Sequence, residues 1–502
     1  MCGIAVEVCR GNKSPSVGRV EKMLARIVHR GDPENAGSVA TMPGAVLGCN
    51  RLAIVARESA EQPMWNADRS LCVTFNGEIY NHRELRHELA ERGHRFATSG
   101  DTEVLLHAYA EWGRSAPDHL DGIFAFVVYD LARETFLCAR DRFGVKPLYW
   151  AEDGDVLLIA SELKSFSAIG AVPRTFPPGH AMTPDGQWCF DERRHRKDFD
   201  TADEAATELG RLLDDAVRKR VQTDLPIGVI YSGGLDSAAV LGLALRHHSD
   251  VTAISVGFPG SPDLEFAERS CAELGVRHVV RYLSQDELVD RLPAITRQVE
   301  TFEMVDVMDA SVMAPAYEVA HKLGLKVVLV GDGSDELFAG YDLFREHPDP
   351  EALMRYRVMN LHRTDLQRLD RVSMLHSVEA REPFLDQAVV DFAWHLPMEY
   401  KQRDGIEKWV LRQAVSDVLP EYLAWRPKIR MPQGTGLLFQ LIEHARRQGE
   451  GLDGELQREL GIDLPETAYF LKSYLDCGYP LPDARYRKVG WDFAPNGYFV
   501  FQ

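Results

Sequence analysis

The sequence predicts two domains of different fold class: an α+β layered domain with antiparallel sheets between helices, then an α/β domain with a parallel sheet and a helical C-terminal part. Up to about residue 185, short apolar runs alternate with turn residues, which is typical of antiparallel strands. From residue 207, helical patterns alternate with strands that are apolar throughout, as in a parallel sheet covered on both faces. We therefore predict domains at 1–185 and 207–502, joined by a linker or surface crossover at 186–206 that includes the highly charged stretch at 191–200.

The individual elements follow these two patterns in chain order. In the first domain, apolar runs bounded by turn residues predict strands at Ala45–Cys49, Leu71–Phe75, Ile123–Tyr129, Thr135–Ala139 and Val156–Ala160. Between them, apolar residues at helical spacing predict helices at Val20–Val28, Arg83–Arg92 and Glu103–Glu111. In the second domain we predict helices at Thr207–Arg220 and Ala238–His247, and strands at Ile227–Tyr231, Val251–Val256 and Lys326–Val330. After about residue 340 the pattern is mostly helical.

Composition excludes several classes of protein. The formal charge of -19 argues against a general affinity for nucleic acid, because phosphate backbones are held by clustered Lys and Arg. No apolar run approaches the roughly 20 residues that span a bilayer, and the N-terminus does not have the pattern of a signal peptide, so we expect a cytoplasmic protein. The eight cysteines are scattered without a CxxC pair, so those other than Cys2 are expected to be reduced and buried.

The chain opens with Met1-Cys2-Gly3, which indicates an N-terminal nucleophile. Removal of Met1 would leave a thiol and a free α-amine on the same residue. An α-amine has a pKa of roughly 7.7 to 8.0, so it can accept the thiol proton near neutral pH. Cys2 would then attack an acyl carbon without a separate histidine.

Two glycine-containing loops follow predicted strands of the second domain. Ser232-Gly233-Gly234-Leu235-Asp236-Ser237 lies where a strand leads into a helix, an arrangement that binds anions through free backbone N–H groups. The loop differs from the GxxxxGK[ST] pattern, which disfavours hydrolysis of ATP at the γ-phosphate by that route. Gly331-Asp332-Gly333-Ser334-Asp335-Glu336 repeats the arrangement after the next strand. Because Mg²⁺ is held by one or two carboxylates together with phosphates, we predict Asp236 and Asp335 as its ligands.

These motifs resemble those of known enzymes. The segment 232–237 is similar to the pyrophosphate loop of ATP-pyrophosphatase synthetases, and Cys2 with Asn76-Gly77-Glu78-Ile79-Tyr80-Asn81 resembles the class II glutamine amidotransferases. Together and in this order, the motifs resemble the glutamine-hydrolysing asparagine synthetases over nearly the whole chain. The resemblance implies an N-terminal nucleophile fold, then an ATP-pyrophosphatase fold. It also implies ATP-dependent amidation of a carboxylic acid, with release of glutamate, AMP and pyrophosphate.

The resemblance implies roles for residues of the first domain. The Cys2 thiol would attack the glutamine carboxamide, while Asn76 and the Gly77 N–H would stabilise the oxyanion. Arg51 would bind the α-carboxylate of glutamine and Asp101 its α-ammonium. The implied glutamine-binding set is Arg51, Leu52, Ala53, Ile54, Val55, Asn76, Gly77, Glu78 and Asp101.

One departure from the family lies near this site. The family usually has His-Arg-Gly-Pro-Asp, whereas this chain has His29-Arg30-Gly31-Asp32-Pro33. A proline one residue later changes where φ is fixed and which N–H is lost. The shift leaves the shape of this loop open.

In the second domain the resemblance implies three catalytic residues, Asp332, Glu379 and Lys428, with Lys428 stabilising the adenylation or acyl-transfer transition state. The implied ATP and pyrophosphate set is Tyr231, Ser232, Gly233, Gly234, Asp236, Ser237, Val256, Val330 and Gly331. Ammonia from the first domain would pass to the second, where it would attack an acyl-adenylate.

The acceptor acid stays open at this stage. In the stretch Glu300–Ser311, the polar Thr and Arg that the family uses for aspartate are replaced by Val305 and Met308, which we predict, with Glu379 and Arg381, to line the acceptor pocket. Loss of a guanidinium would leave a dianionic substrate with an unpaired charge. The acceptor is therefore either aspartate or a bulkier, less polar acid of specialised metabolism.

Two further functions remain as alternatives. An intramolecular cyclase of the β-lactam synthetase type would keep the amidotransferase domain, although Asp332 stands where that branch carries Tyr. A regulatory protein would bind glutamine or ATP without turnover, although Cys2, Asp236, Asp335 and Lys428 argue against it. The expected partners are small molecules, ATP and Mg²⁺ among them. Related synthetases are often dimers, so a homodimer is the oligomer to test for.

Overall fold

The computed structural model describes residues 1–11, 13–190, 199–427, 438–452, 454 and 464–480. The chain divides into two compact units. The first comprises Met1–Arg193 and the short segment Met374–Ser377, and the second comprises Arg194–Ser373 and Val378–Gln502. Each unit has its own sheets.

The first unit contains two antiparallel sheets. Its strands are β1 Gly3–Cys9, β2 Ser38–Thr41, β3 Ala45–Asn50, β4 Met64–Trp65, β5 Leu71–Ile79, β6 Gly122–Asp130, β7 Thr135–Arg140, β8 Tyr149–Asp153, β9 Val156–Ala160, β10 Arg174–Thr175, β11 His180–Thr183 and β12 Gly186–Cys189. One sheet has the order β10-β8-β9-β1-β3-β2 and the other β12-β11-β7-β6-β5-β4. Its helices are Val17–Ala25, His82–Glu91, Asp101–Trp112 and Leu163–Ser167, with 3₁₀ turns at Val28–Arg30, Pro33–Asn35 and Gly113–His119.

The two sheets pack face to face, and helices cover their outer faces. The layer between the sheets consists of alternate residues from both, such as Ile4 and Leu47 from one and Ala125 and Val127 from the other. The outer face of the second sheet packs on His82–Glu91 and Asp101–Trp112. The predicted α+β layered fold with antiparallel sheets between helices is confirmed.

The second unit contains a parallel sheet of order β15-β14-β13-β16-β17. Its strands are β13 Ile227–Ile230, β14 Val251–Gly257, β15 Arg277–Tyr282, β16 Val327–Leu329 and β17 Glu379–Arg381, all paired in parallel. The helices are Ala202–Arg220, Leu235–His247, Pro262–Leu274, Gln285–Val299, Met304–Lys322, Ser334–Leu337, Leu343–Glu346, Pro350–Asn360, Asp365–Met374, Gln387–His395, Met398–Lys401, Trp409–Ala414, Glu421–Ala424, Leu438–Gly449 and Pro465–Asp476, with 3₁₀ turns at Leu361–Arg363 and Pro383–Leu385. The predicted α/β class with a helical C-terminal part is confirmed.

Two elements extend into the stretch that the sequence predicts as a linker. Strand β12 pairs with β11, because Gly186 allows a tight turn with φ +137° between them. The helix Ala202–Arg220 begins five residues before the predicted start, because the Thr201 side chain accepts a hydrogen bond from the Glu204 N–H and caps the helix. Residues 191–198 of the charged stretch lie outside the described residues.

The layer between the sheets makes a direct prediction about stability. Ile159 in β9 is fully buried, so Ile159→Ala removes apolar contacts and leaves a cavity. We expect a loss of about 2 to 5 kcal/mol in the free energy of unfolding of the first unit, against about 0.5 to 1.5 kcal/mol for the control Ile159→Val. Urea unfolding followed by circular dichroism measures both, and equal losses would contradict this account of the core.

Candidate active sites

Cys2 directly precedes β1, and the side chains of Asn76 and Arg30 hold its backbone. Its side chain is 5% exposed, and its N–H donates to Asn76 Oδ1 at 2.9 Å. The Arg30 Nε donates to the Cys2 carbonyl at 3.0 Å, and Arg30 in turn pairs with Glu162 at 2.6 Å. Arg30 and Glu162 are both fully buried. Cys2 is therefore fixed at one end of the layer between the sheets.

A second thiol, Cys49, stands beside Cys2. The register of β1 against β3 pairs Gly3 with Asn50 and Ile4 with Cys49, so both cysteines face the same layer. Gln62 bridges them, because its Nε2 donates to Cys2 Sγ at 3.8 Å and its Oε1 accepts from Cys49 Sγ at 3.8 Å. The Phe75 N–H, which donates to the same Oε1 at 2.7 Å, holds the amide in place.

This surrounding lowers the pKa of the Cys2 thiol. A hydrogen bond from Cys49 is the largest cause, burial opposes it, and the N-terminal ammonium, the Leu52 N–H and Arg51 add to the lowering. The result is a pKa of about 7 for Cys2. Burial instead raises the pKa of Cys49 well above its ordinary value. Near neutral pH, Cys2 is thus the thiol of the pair that ionises, and a thiolate is the form that attacks carbon.

Asn76 and Gly77, in β5, lie next to Cys2. Asn76 is fully buried, and its Nδ2 has no hydrogen-bond partner among the described residues. A buried donor without a partner costs about 1 to 3 kcal/mol, so it is available to a ligand oxygen. Gly77 has φ +149°, and a Cβ there would collide with the Ile123 carbonyl of the neighbouring strand. Only glycine can occupy this position without moving β6.

The predicted glutamine clamp is arranged around the loop that follows β3. Arg51 is buried and donates to the carbonyls of Val55, Ala56 and Arg57 at 3.0 to 3.3 Å. Asp32 Oδ2 accepts from the Ala53 N–H at 2.8 Å, so the altered order of Asp32 and Pro33 still secures this loop. The 3₁₀ turn Pro33–Asn35 begins at the displaced proline.

The other residues predicted to contact glutamine lie in or next to β3 and β5. Asp101 begins the helix Asp101–Trp112 and accepts from the Ile79 N–H at 3.1 Å, which places it just beyond the Asn76-Gly77-Glu78 segment. Leu52, Ala53, Ile54 and Glu78 are buried, and Val55 is half-buried. Arg51 and Gln62 line a cavity of about 500 Å³ whose wall includes Glu61, Trp65 and Arg69. Gln62 thus connects the Cys2 thiol with that cavity.

In the second unit, the loop 232–237 connects β13 with the helix Leu235–His247. Ser237 Oγ donates to the Gly234 carbonyl at 3.1 Å, and the Ser232 and Ser237 hydroxyls are 3.1 Å apart. Gly233 has φ +71°, and its carbonyl accepts from Arg426 Nη1 at 2.6 Å. The loop is therefore fixed by its serine hydroxyls and by Arg426, and it lies at the N-terminus of a helix, as anion sites do.

The two predicted magnesium ligands, Asp236 and Asp335, both contact Lys408, a residue that belongs to none of the sequence motifs. Lys408 Nζ lies 2.6 and 2.7 Å from the carboxylate oxygens of Asp236 and 2.6 Å from Asp335. Ser334 Oγ also donates to Asp236 at 2.8 Å and so joins the two loops. Burial alone would lower the pKa of Lys408, but the carboxylates outweigh burial and raise it above its ordinary value.

Two carboxylates that converge in this way suit Mg²⁺ with phosphate oxygens as its remaining ligands. The described residues contain no group of three His, Cys, Asp or Glu side chains that would hold a metal without such help. Lys408 lies 172 residues from Asp236, just before the helix Trp409–Ala414, and no local pattern marks it in the sequence.

The remaining predicted nucleotide residues lie at the same ends of β13, β14 and β16. Tyr231 is buried, with its hydroxyl 2.5 Å from Ser270 Oγ. Val256 is near the end of β14 and Val330 follows β16. A Cβ at Gly331 would lie 2.9 Å from the Asp236 Cβ, so glycine lets the two loops approach.

Of the residues predicted for chemistry at the acceptor, Glu379 and Arg381 are neighbours on β17. Arg381 Nε donates to Glu379 Oε1 at 2.6 Å, and both are buried. Burial raises the pKa of Asp332 to about 6, although Arg368 lowers it. Lys428 lies outside the described residues.

The helix Met304–Lys322 carries both residues predicted to replace the family's polar pair. Val305 is half-buried and Met308 is 1% exposed. The side chains of this helix that come together with Asp332 are Asp306 and Asp309, through a shared contact with Arg368. Sequence patterns did not identify Asp306, Asp309 and Arg368 as site residues, because Arg368 is up to 62 positions away from its partners in the sequence.

Among helices in the described ranges, none has the length and apolar character that crossing a bilayer demands.

Comparison with family models matches residues 1–177 to a glutamine amidotransferase domain and residues 208–355 and 345–489 to asparagine synthase.

The chain is also similar to curated proteins over most of its length. It is 35% identical to glutamine-hydrolyzing asparagine synthetase 3 of Arabidopsis thaliana, covering 97% of this chain and 89% of the relative. It is 34% identical to the asparagine synthetase of Asparagus officinalis (98% and 88% covered) and 36% identical to that of Sandersonia aurantiaca (87% and 87% covered). By both comparisons, the chain belongs to the family of glutamine-hydrolysing asparagine synthetases.

Proposed function

We propose that this enzyme is a carbon–nitrogen ligase that uses glutamine and ATP to amidate a carboxylic acid, with aspartate, the precursor of asparagine, as the first acceptor to test. The observation that carries the proposal is the pairing of Cys2 with Asn76, whose Nδ2 is buried without a partner among the described residues. That unsatisfied donor lies beside a thiol whose pKa is about 7. A nucleophile next to an unused donor is what acyl transfer requires.

The first half-reaction takes place at Cys2. Once Met1 is removed, the α-amine of Cys2, oriented by Asn76 Oδ1, accepts the thiol proton. The thiolate attacks the glutamine carboxamide, and the developing oxyanion accepts hydrogen bonds from Asn76 Nδ2 and the Gly77 N–H. Ammonia leaves with the proton held by the amine, and water hydrolyses the thioester to glutamate. Arg51 and Asp101 are the proposed ends of the clamp on the amino-acid part of glutamine.

The second half-reaction takes place at the loops of the parallel sheet. The acceptor carboxylate attacks the α-phosphate of ATP, and pyrophosphate leaves toward the backbone N–H groups and hydroxyls of 232–237. Ammonia then attacks the acyl carbon and AMP leaves. Asp236 and Asp335 would hold Mg²⁺, which would neutralise phosphate charge. Lys408 already supplies one cation at these carboxylates, and Lys428 is proposed as a second near the reacting phosphate.

We further propose that the enzyme acts in the cytoplasm, as a homodimer. Ligases that consume ATP and glutamine find both in that compartment. The proposal of a dimer rests on the resemblance to related synthetases, and sedimentation velocity tests it.

Cys2→Ala separates the two half-reactions. We expect glutamine-dependent amidation to fall by about a thousandfold or more, because the nucleophile is gone. Amidation with ammonium chloride as nitrogen donor should remain, because the parallel-sheet site is unchanged. Product formation with each donor, followed by mass spectrometry, measures both, and loss of the ammonia-dependent reaction would contradict this division.

Cys49→Ala tests the cause of the low thiol pKa. Because the hydrogen bond from Cys49 is the largest of the causes that lower the pKa of Cys2 to about 7, removing it should shift the rise of glutaminase kcat/KM to higher pH. The loss of one hydrogen bond to a charged atom corresponds to about 1 to 2 pH units. Cys49→Ser retains a donor and should shift the profile less. A profile that stays in place, or moves to lower pH, would overturn the assignment.

Lys408→Met tests whether the cation shared by Asp236 and Asp335 is needed for the ATP-dependent half-reaction. The variant leaves Asp236 and Asp335 close together without their shared cation, so we expect ATP-dependent pyrophosphate release to fall about a hundredfold or more. The glutaminase activity should be retained, which serves as the folding control. Lys408→Arg keeps the charge and should be less impaired. Pyrophosphate release close to the wild-type rate in Lys408→Met would refute the role.

A further inference from the structure

Arg426 is buried beside the loop 232–237, and protein groups bind its guanidinium on three sides. Its Nη1 donates to the Gly233 carbonyl at 2.6 Å, and its Nη2 donates to Asp263 Oδ1 at 2.5 Å. The ring of Phe266 covers one face of the guanidinium, with the ring centre 3.9 Å from Cζ. A guanidinium bound in this way is not directed at a ligand of the loop, so its effect on such a ligand passes through Gly233.

The contact with Arg426 fixes the direction of one peptide group. In a trans peptide the C=O and the following N–H point in opposite directions, so the Gly233 carbonyl and the Gly234 N–H face opposite sides of the loop. The Gly234 N–H is on the side of the Ser232 hydroxyl, to which it donates at 3.3 Å. The Ser237 hydroxyl lies 3.1 Å from that of Ser232. A backbone N–H and two hydroxyls thus converge, as in backbone sites for anions.

The two glycines of this peptide have different surroundings. A Cβ at Gly233 would lie 3.1 Å from backbone atoms of Asp263 and Ala267, in the helix Pro262–Leu274. Apart from its chain neighbours, a Cβ at Gly234 would have one described atom, a serine hydroxyl, within 4 Å. The loop is therefore packed against protein at Gly233 and has room for a ligand at Gly234.

Two consecutive glycines make this peptide group easy to invert. Inversion changes ψ of the first residue and φ of the second, and glycine tolerates most values of both angles. An inverted group would direct its carbonyl oxygen at the bound anion in place of the Gly234 N–H, and the negative end of that dipole repels phosphate. Arg426 opposes the inversion, because its buried guanidinium would lose the Gly233 carbonyl as an acceptor.

The segment that carries Arg426 is itself anchored next to the cation of the acidic loops. Arg412 Nη1 donates to the Arg426 carbonyl at 2.9 Å, and the Arg412 N–H donates to the Lys408 carbonyl at 3.0 Å. Lys408 in turn contacts Asp236 and Asp335. The same helical turn therefore secures the acidic pair and, through Arg426, the glycine loop.

We infer that Arg426 is a positioning residue for pyrophosphate, because it keeps the Gly233–Gly234 peptide in the orientation in which the Gly234 N–H donates to phosphate oxygens. The inference rests on the proposed ATP-dependent amidation and specifies how its leaving group is bound. The guanidinium also polarises the peptide group, which makes its N–H a stronger donor. Loss of Arg426 weakens the binding of pyrophosphate more than that of AMP, which lacks the two phosphates that the loop is proposed to bind.

Pyrophosphate and AMP, used as separate ligands of the full-length enzyme, test the inference. Isothermal titration calorimetry in the presence of MgCl2 measures the Kd of each. Arg426→Met should raise the Kd of pyrophosphate at least about tenfold, the effect of one hydrogen bond to a charged group, and change that of AMP less than about threefold. A purely structural role would weaken both ligands alike. The control Arg269→Met removes an exposed arginine from the helix Pro262–Leu274 and should match wild type.

The conservative variant adds a second readout. Arg426→Lys retains the charge and one donor, so its Kd for pyrophosphate should lie between those of wild type and Arg426→Met. In pyrophosphate release with ammonium chloride as nitrogen donor, kcat/KM for ATP should fall in the same order. A lysine variant as impaired as the methionine variant would show that the charge at this position does not support the loop and would contradict the inference.

Other outcomes would also overturn the inference. A wild-type enzyme that does not bind pyrophosphate, an unchanged Kd in Arg426→Met, or equal losses for AMP and pyrophosphate would each remove the role. If circular dichroism shows that Arg426→Met does not fold, Arg426→Lys decides, since a rise confined to pyrophosphate supports the role and equal changes refute it. If the wild-type enzyme binds pyrophosphate but amidates no acid, the proposed amidation fails, and the comparison of Kd values still tests Arg426.

Discussion

Ion pairing of buried charged side chains with nearby partners is the constraint on which both units depend. In the first unit, the fully buried Glu162 contacts Arg30 and Lys164, and Arg30 in turn holds the Cys2 carbonyl. In the second unit, Lys408 joins Asp236 to Asp335. A charge removed from water is tolerated only when its partner is close, so these contacts determine where the functional loops lie. Stability and the geometry of the sites therefore share the same side chains.

Much of the fold follows from local patterns. The apolar runs that form β3, β5, β6, β7 and β9 are each long enough to specify a strand, and β13 and β14 of the parallel sheet consist mainly of apolar residues. The short strands β2, β4, β10 and β17 could not be predicted, because their two to four residues, unlike those of β13 and β16, are not part of a longer apolar run. The loops at 232–237 and 331–336 were found because glycine, serine and aspartate occur there consecutively.

The residues that sequence patterns missed act across long separations. Lys408 reaches Asp236 and Arg368 reaches Asp306 only in the folded chain, so neither belongs to a motif. Cys49 was expected to be a buried filler, and it is buried, but the register of β1 against β3 places its thiol beside Cys2. A sequence shows which residue type stands at a position and often predicts whether it is buried. The partner of a buried group, in contrast, depends on strand register and on helix packing.

Lys408 affects how tightly the two acidic loops can bind another cation. Its ammonium already contacts both carboxylates, and its backbone is held at φ +54°, a left-handed conformation that costs about 1 kcal/mol or more in a residue with a side chain. Any other cation that binds there gains only the difference between its own attraction and that of the resident ammonium. The lysine therefore competes with any other cation for the two carboxylates and lowers the affinity of these loops for that cation.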